Sequence, residues 1–176
     1  MINDIFSKLP KASSFQVTST DIIDKKPLNL AQFSGMLGIN GGKDLSPQLS
    51  WFGAPQETKS YAITVYDEDA PTGSGFWHWA VCNIPANVNT IPTGAGDDTG
   101  SGLPKGAIQL PNDGRLARFI GAAPPAGQDQ HWFLIVVHAL NVEDIGVPHG
   151  TTSALLGLNM ASHILGRAIL TATAKI

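Results

Sequence analysis

The chain has 176 residues, enough for one domain with a substantial core. Its 11 basic residues are scattered and outnumbered by 14 acidic ones, for a formal charge of −3, so a nucleic-acid partner, which demands a basic stripe, is not expected. The single Cys82 excludes an internal disulfide, and no run approaches the ~18 apolar residues of a transmembrane segment.

A charged share of only 14% beside 19 Gly and 12 Pro predicts many short strands joined by tight turns in a single domain over residues 1–176. Met1–Pro10 lacks the charged start and continuous apolar centre of a signal peptide, so a cytoplasmic protein is expected. Ser14–Ile22 ("SFQVTSTDI") reads as an early strand, and Gly38–Trp51 as an irregular loop punctuated by Gly and Pro. Tyr61–Asp67 ("YAITVYD") is apolar on both faces and rich in β-branched and aromatic residues, as a central strand should be. His78–Pro85 ("HWAVCNIP") is a second such run, followed by a long Gly- and Pro-rich loop over Pro92–Ala107. Arg115–Ile120 predicts a further strand that leads into a Gly/Ala/Pro turn. His131–Asn141 ("HWFLIVVHALN") is the strongest strand of the chain. From Ser153 to Leu170 apolar residues recur at helical spacing, with Thr152 or Ser153 available as N-cap, which predicts a C-terminal amphipathic helix.

The strand ends gather the chemistry. If Tyr61–Asp67 and His78–Pro85 pair antiparallel, Asp67 and His78 meet at one rim, with Asp69 in the connecting loop. His131 reaches the same rim if its strand runs in the direction of His78–Pro85. Trp77 and Trp79 flank His78 and should face away from it, one in the core and the other walling the mouth. A histidine that can be neutral or cationic suits a phosphate or carboxylate, and the amides of Gly121, Ala122, Ala123 and Gly127 could form an anion-binding hollow. The bland reading makes Asp67 and Asp69 turn acceptors. His138 lies seven residues beyond His131 and so faces the other way; it, His149 and His163 read as structural or surface residues, and Cys82 as a small buried one. There is no nucleophile elbow, zinc-protease helix or phosphate loop, and no cofactor is expected. Two His and two Asp could in composition hold a metal, but their spacing is not diagnostic.

These motifs resemble the phosphatidylethanolamine-binding protein family, also called Raf kinase inhibitor-like proteins, in its bacterial branch. The resemblance lies in Asp67-Glu68-Asp69-Ala70-Pro71 with Trp77-His78-Trp79, and in Phe119–Gly127 leading to His131-Trp132-Phe133. Ser46–Trp51, Leu103–Gly106, Asn112–Gly114 and Leu156–Asn159 add shorter likenesses. The resemblance implies a mainly β fold: an antiparallel β-sandwich of Greek-key type with peripheral helices. It also implies a pocket for a small anion (phosphate, phosphoethanolamine or a carboxylate), lined by Asp67, His78 and His131, with Pro124 and Gly121 on its wall and Asp69 in a more structural role. Some members bind phospholipid head groups and others inhibit protein kinases or proteases, and bacterial relatives often form homodimers. Three features depart from the family pattern: Glu68 stands for a proline, Phe119 for a tyrosine, and Trp132-Phe133 for Arg-Tyr. The loss of one cation and two hydroxyls predicts weaker or altered head-group selectivity. The leading expectation is therefore a non-enzymatic binding protein. The alternatives are a hydrolase or isomerase that uses Asp67 and His78 as an acid–base pair, and an interaction scaffold with a vestigial pocket.

Overall fold

The computed structural model describes residues 9–176; the reading of Met1–Pro10 falls largely outside them. Among the described residues are ten strands, one α-helix and a short 3-10 turn at Leu30–Gln32. The strands are β1 (Ser13–Ser14), β2 (Gln16–Thr18), β3 (Lys26–Pro27), β4 (Leu49–Phe52), β5 (Ser60–Asp67), β6 (Phe76–Pro85), β7 (Thr90–Ile91), β8 (Ile108–Leu110), β9 (His131–Leu140) and β10 (Ile164–Ala174). The helix α1 spans Ser153–Met160. A seven-stranded sheet runs β1-β10-β9-β5-β6-β8, with β3 also on β10, and a three-stranded sheet runs β2-β4-β7. The mainly β expectation holds. Most pairs are antiparallel, but β1 and β3 join β10 in parallel.

β5 and β9 occupy the middle of the large sheet because both faces of each are apolar, and their sequences provide that without alternation. The main core lies between the two sheets: Ile63, Val65, Trp79, Phe133 and Ile135 from the large sheet face Leu49, Trp51 and Ile91 from the small one. A smaller core on the opposite face joins Ala62, Ala80, Cys82 and Leu140 to Leu156 and Met160 of α1. Burial pushes the Cys82 thiol up to about 12, so it acts as a small apolar side chain.

Four expectations need correction. The C-terminal helix ends at Met160, and Ile164–Ala174 is a strand that pairs with β9 along its whole length. Helical spacing over Ser153–Leu170 competes with a period-two pattern, in which Ala168, Leu170, Ala172 and Ala174 fill the main core. The open edge of β9 decides between them, since a strand there satisfies a full ladder. Arg115–Ile120 is not a strand. Its hydrogen bonds diverge: Asn112 Nδ2 donates to the Arg118 carbonyl, Asn112 Oδ1 accepts from the Leu116 amide, Phe119 donates to Gly96 and Ile120 to His78. Arg115 moreover sits at φ 64°. Finally, Ser14–Ile22 is split, with β1 in one sheet and β2 in the other, and Leu49–Trp51 belongs to β4 rather than to the preceding loop.

Candidate functional site

β6 and β9 each run antiparallel to β5, hence in the same direction as each other. Their first residues therefore reach the edge where β5 ends. Asp67 closes β5 and lies in register between Phe76 of β6 and Phe133 of β9. His131, the first residue of β9, donates from Nδ1 to Asp67 Oδ2 at 2.8 Å. The other ring nitrogen, Nε2, faces Gln128 Oε1 at 3.4 Å.

His78 reaches the same face through an irregularity. Val65 pairs with Trp79 but Tyr66 with Trp77, so β6 spends one extra residue, His78, against β5. The extra residue resets the alternation. Trp77 lies tilted against Tyr66 on the far face, with ring centroids 4.5 Å apart, whereas Trp79 meets Phe119 in the main core. The two tryptophans therefore point away from each other, and Trp77 does not wall the mouth as expected. The His78 ring lies against Phe76 and Phe133, at 4.8 and 5.0 Å, on the face that carries Asp67. Its Nδ1 is 2.8 Å from the Ile120 carbonyl. A carbonyl only accepts, so Nδ1 carries the proton and Nε2 is left for a ligand. Burial lowers the His78 pKa against the opposing pull of that carbonyl and of the Asp67 charge, which keeps the ring neutral at pH 7.

The remaining expected residues position these three. The Asp69 amide donates to Asp67 Oδ1 at 2.9 Å, and its carboxylate accepts the Trp132 amide at 2.7 Å. Asp69 thereby ties the end of β5 to the start of β9, where the pair sits. Gly121 donates its amide to Asp44 Oδ1 at 2.8 Å. A Cβ at Gly121 would lie 2.6 Å from the carbonyl oxygens of Gln32 and Phe33, so only glycine permits this backbone approach. The Ala122 and Gly127 amides donate to Gln32 and Ile176, so neither they nor Gly121 present a free amide to an anion. Pro124 is buried and is followed by an exposed run over residues 125–130. Glu68 is half-buried, and its charge reaches Tyr66, whose phenol is held above its usual pKa by burial first and then by Glu68, Asp67 and Asp113.

Asp44 and Gln128 were not anticipated. Asp44 is buried at φ 52° and binds the amides of Gly121 and Met36; burial opposes its ionisation, yet these bonds and Ser34 keep its pKa below the usual carboxylate value. It anchors the segment that supplies the Ile120 carbonyl to His78, some 77 positions along the chain, and nothing local in the sequence marks it. Gln128 could have been found from its place three residues before His131.

Asp67, His78 and His131 are only 4%, 4% and 3% exposed. A cleft of about 440 Å³ opens on His131 from outside, lined by Asp69, Gly127, Gln128, Asp129 and Gln130. Asp67 and His78 do not line it. Among the described residues no group of three or more His, Cys, Asp or Glu is arranged to hold a metal ion, and no helix is long and apolar enough to cross a membrane.

Residues 18–175 match the phosphatidylethanolamine-binding protein family. The UPF0098 protein YbcL of Escherichia coli K12 is 43% identical over 166 residues, covering 94% of this chain and 90% of its own. YbhB of the same organism is 43% identical over 140 residues, 80% of this chain and 86% of its own. The crystal structure of YbcL, described as a new member of the mammalian family, superposes with a TM-score of 0.89 over 93% of this chain and 99% of that one. A homolog from Chlamydia trachomatis, 25% identical, superposes at 0.76 over 94% and 99% of the two chains. In sequence and in fold, the chain belongs to the phosphatidylethanolamine-binding protein family.

Proposed function

We propose that the protein is a non-enzymatic receptor for a small anion, a phosphate-like or carboxylate head group, at the edge formed by Asp67, His78 and His131. The observation that carries this reading is the pair of oriented imidazoles. Each uses Nδ1 on a protein acceptor, Asp67 Oδ2 or the Ile120 carbonyl, which leaves both Nε2 atoms for a ligand. An anion would take the place of Gln128 Oε1, which now faces His131 Nε2 at 3.4 Å. Because His78 is neutral at pH 7, an anion must bring a proton to its Nε2 or bind with uptake of one. Phosphorylated groups with an ionisable oxygen meet this need.

The Asp67–His131 pair would also suit acid–base catalysis, with Asp67 orienting the ring. It is His131 rather than His78 that takes this carboxylate. No Ser, Thr or Cys hydrogen-bonds either ring among the described residues, and this favours binding over turnover. A protein partner such as a kinase, a homodimer and a cytoplasmic site of action belong to the same proposal.

Isothermal titration of wild type and His131→Ala with phosphate, phosphoethanolamine and acetate tests the site. Saturable binding to wild type that falls at least tenfold in the variant supports it, whereas equal or absent binding in both overturns it. Turnover on a panel of esters and phosphoesters, lost in Asp67→Ala, would replace binding with catalysis.

A further inference from the structure

The edge of β6 that faces away from β5 is held, at Trp77 and His78, by the loop that follows β8. β8 pairs antiparallel with β6, Ala80 with Leu110, and then ends. Three residues further along each chain the same register sets Trp77 opposite Asp113, and the Asp113 amide donates to the Trp77 carbonyl at 3.1 Å. In a regular antiparallel pair the second bond would run from the Trp77 amide to the Asp113 carbonyl. Here the side chain takes the carbonyl's place: Trp77 donates its amide to Asp113 Oδ2 at 2.9 Å. The backbone beyond Asp113 has turned away, with the Arg115 amide on the Asn112 carbonyl at 2.8 Å and Arg115 at φ 64°. It returns at Ile120, whose amide donates to the His78 carbonyl at 3.1 Å and whose carbonyl accepts His78 Nδ1 at 2.8 Å. Of the groups that this loop sets against Trp77 and His78, the Asp113 carboxylate is the one side chain.

The grip falls where β6 needs it. His78 is the extra residue of β6 against β5, so the β5 ladder leaves it unpaired and does not fix its ring. Asp113 does not line the cleft at His131, yet its charge is felt at His78: burial lowers the pKa of that ring, and the Ile120 carbonyl, then Asp67 of β5 and Asp113, oppose the shift. We propose that Asp113 is a positioning residue of the anion site: by holding Trp77 it fixes the extra residue of β6, so that the His78 ring keeps Nδ1 on Ile120 and offers Nε2 to the ligand. This inference rests on the anion-site reading.

Two variants of the full chain test it. Asp113→Asn keeps an acceptor for the Trp77 amide and removes the charge, whereas Asp113→Ala removes both. Asp113 is exposed, and Asn112 closes the loop by itself through the Leu116 amide and the Arg118 carbonyl, so both variants should fold. Should Asp113→Ala not fold, Asp113→Leu, of similar shape and without an acceptor, takes its place. Nitrogen-15 NMR of the free proteins reads the ring: wild type and Asp113→Asn should hold the His78 proton on Nδ1, and Asp113→Ala should mix the two tautomers. Calorimetry with phosphoethanolamine reads the site. The Asp113 charge favours a protonated His78 but repels an anion, so Asp113→Asn should bind within about fivefold of wild type. Asp113→Ala should bind at least about tenfold more weakly than Asp113→Asn. Equal affinity of the two variants, or a His78 ring undisturbed in Asp113→Ala, would overturn the proposal. If wild type binds neither phosphoethanolamine nor sulfate while Asp113→Ala still disturbs the ring, the anion-site reading falls and the positioning of His78 by Asp113 stands.

Discussion

His138 gives the fold a calculable sensitivity to acid. Its imidazole is buried against Thr64 and close to the Arg167 charge, and these surroundings bring its pKa from the ordinary 6.5 down to about 3. The unfolded chain exposes the ring at an ordinary pKa near 6.5. Above that value both states are neutral at this residue, and it contributes no pH dependence. Between the two values the unfolded chain binds a proton that the folded one refuses, so stability falls as pH falls, and the loss is complete only below about 3. The slope is about 1.4 kcal/mol per pH unit, which amounts to about 2–3 kcal/mol between roughly pH 6.5 and pH 4.5. His138→Gln keeps a neutral partner for Thr64 at every pH. Urea denaturation of wild type and variant at about pH 7.5, 6.5, 5.5 and 4.5 isolates the residue, because His78 and the carboxylates titrate in both proteins. Wild type should lose about 2–3 kcal/mol more than the variant over that range. A difference constant to within about 0.5 kcal/mol, or a His138 ring that titrates near its ordinary value by NMR, would refute the reasoning.

Three other outcomes follow from the site and its supports. Gly121→Ala forces a Cβ into the Gln32 and Phe33 carbonyls and should cost about 2–3 kcal/mol in urea denaturation, while also weakening anion binding through the displaced Ile120 carbonyl. Asp67→Asn removes the carboxylate that orients His131 and should reduce phosphoethanolamine affinity at least tenfold; unchanged affinity would show that the orientation is irrelevant. Because anion contact requires a proton on the largely neutral His78, affinity for sulfate, which stays fully ionised, should rise up to about tenfold for each unit by which pH falls below neutrality, and a flat profile by calorimetry would contradict this.

The strands that carry the site were legible because their signals are local. Tyr61–Asp67 and His131–Asn141 are apolar on both faces, a pattern that places them in the middle of a sheet, and their shared edge follows from strand direction alone. What escaped depends on distant partners. The β10 strand was hidden because Ile164–Leu170 satisfies helical and strand periods alike, and only the unpaired edge of β9 chooses between them. The separation of Trp77 from Trp79 needs one extra residue opposite Val65–Tyr66, which no side-chain pattern signals. Asp44 acts on a segment 77 positions away, and an acid in a Gly-rich loop looks like any turn residue. Of the expected site residues, Asp67, His78 and His131 converge on one edge, while Asp69, Gly121 and Pro124 hold or border the segments that place them. A cavity beneath α1 could not be anticipated, since Ile164 and Arg167 of its lining lie on the strand that was read as helix.

Nitrogen-15 NMR of the histidine rings during titration with phosphoethanolamine tests the anion site most directly. The account predicts saturable shifts of Nε2 in both His131 and His78 with one common dissociation constant, and none in His163, which is held at the far end of β9 by Asn141. Saturation without movement of either site histidine, or movement of His163 alone, would contradict it.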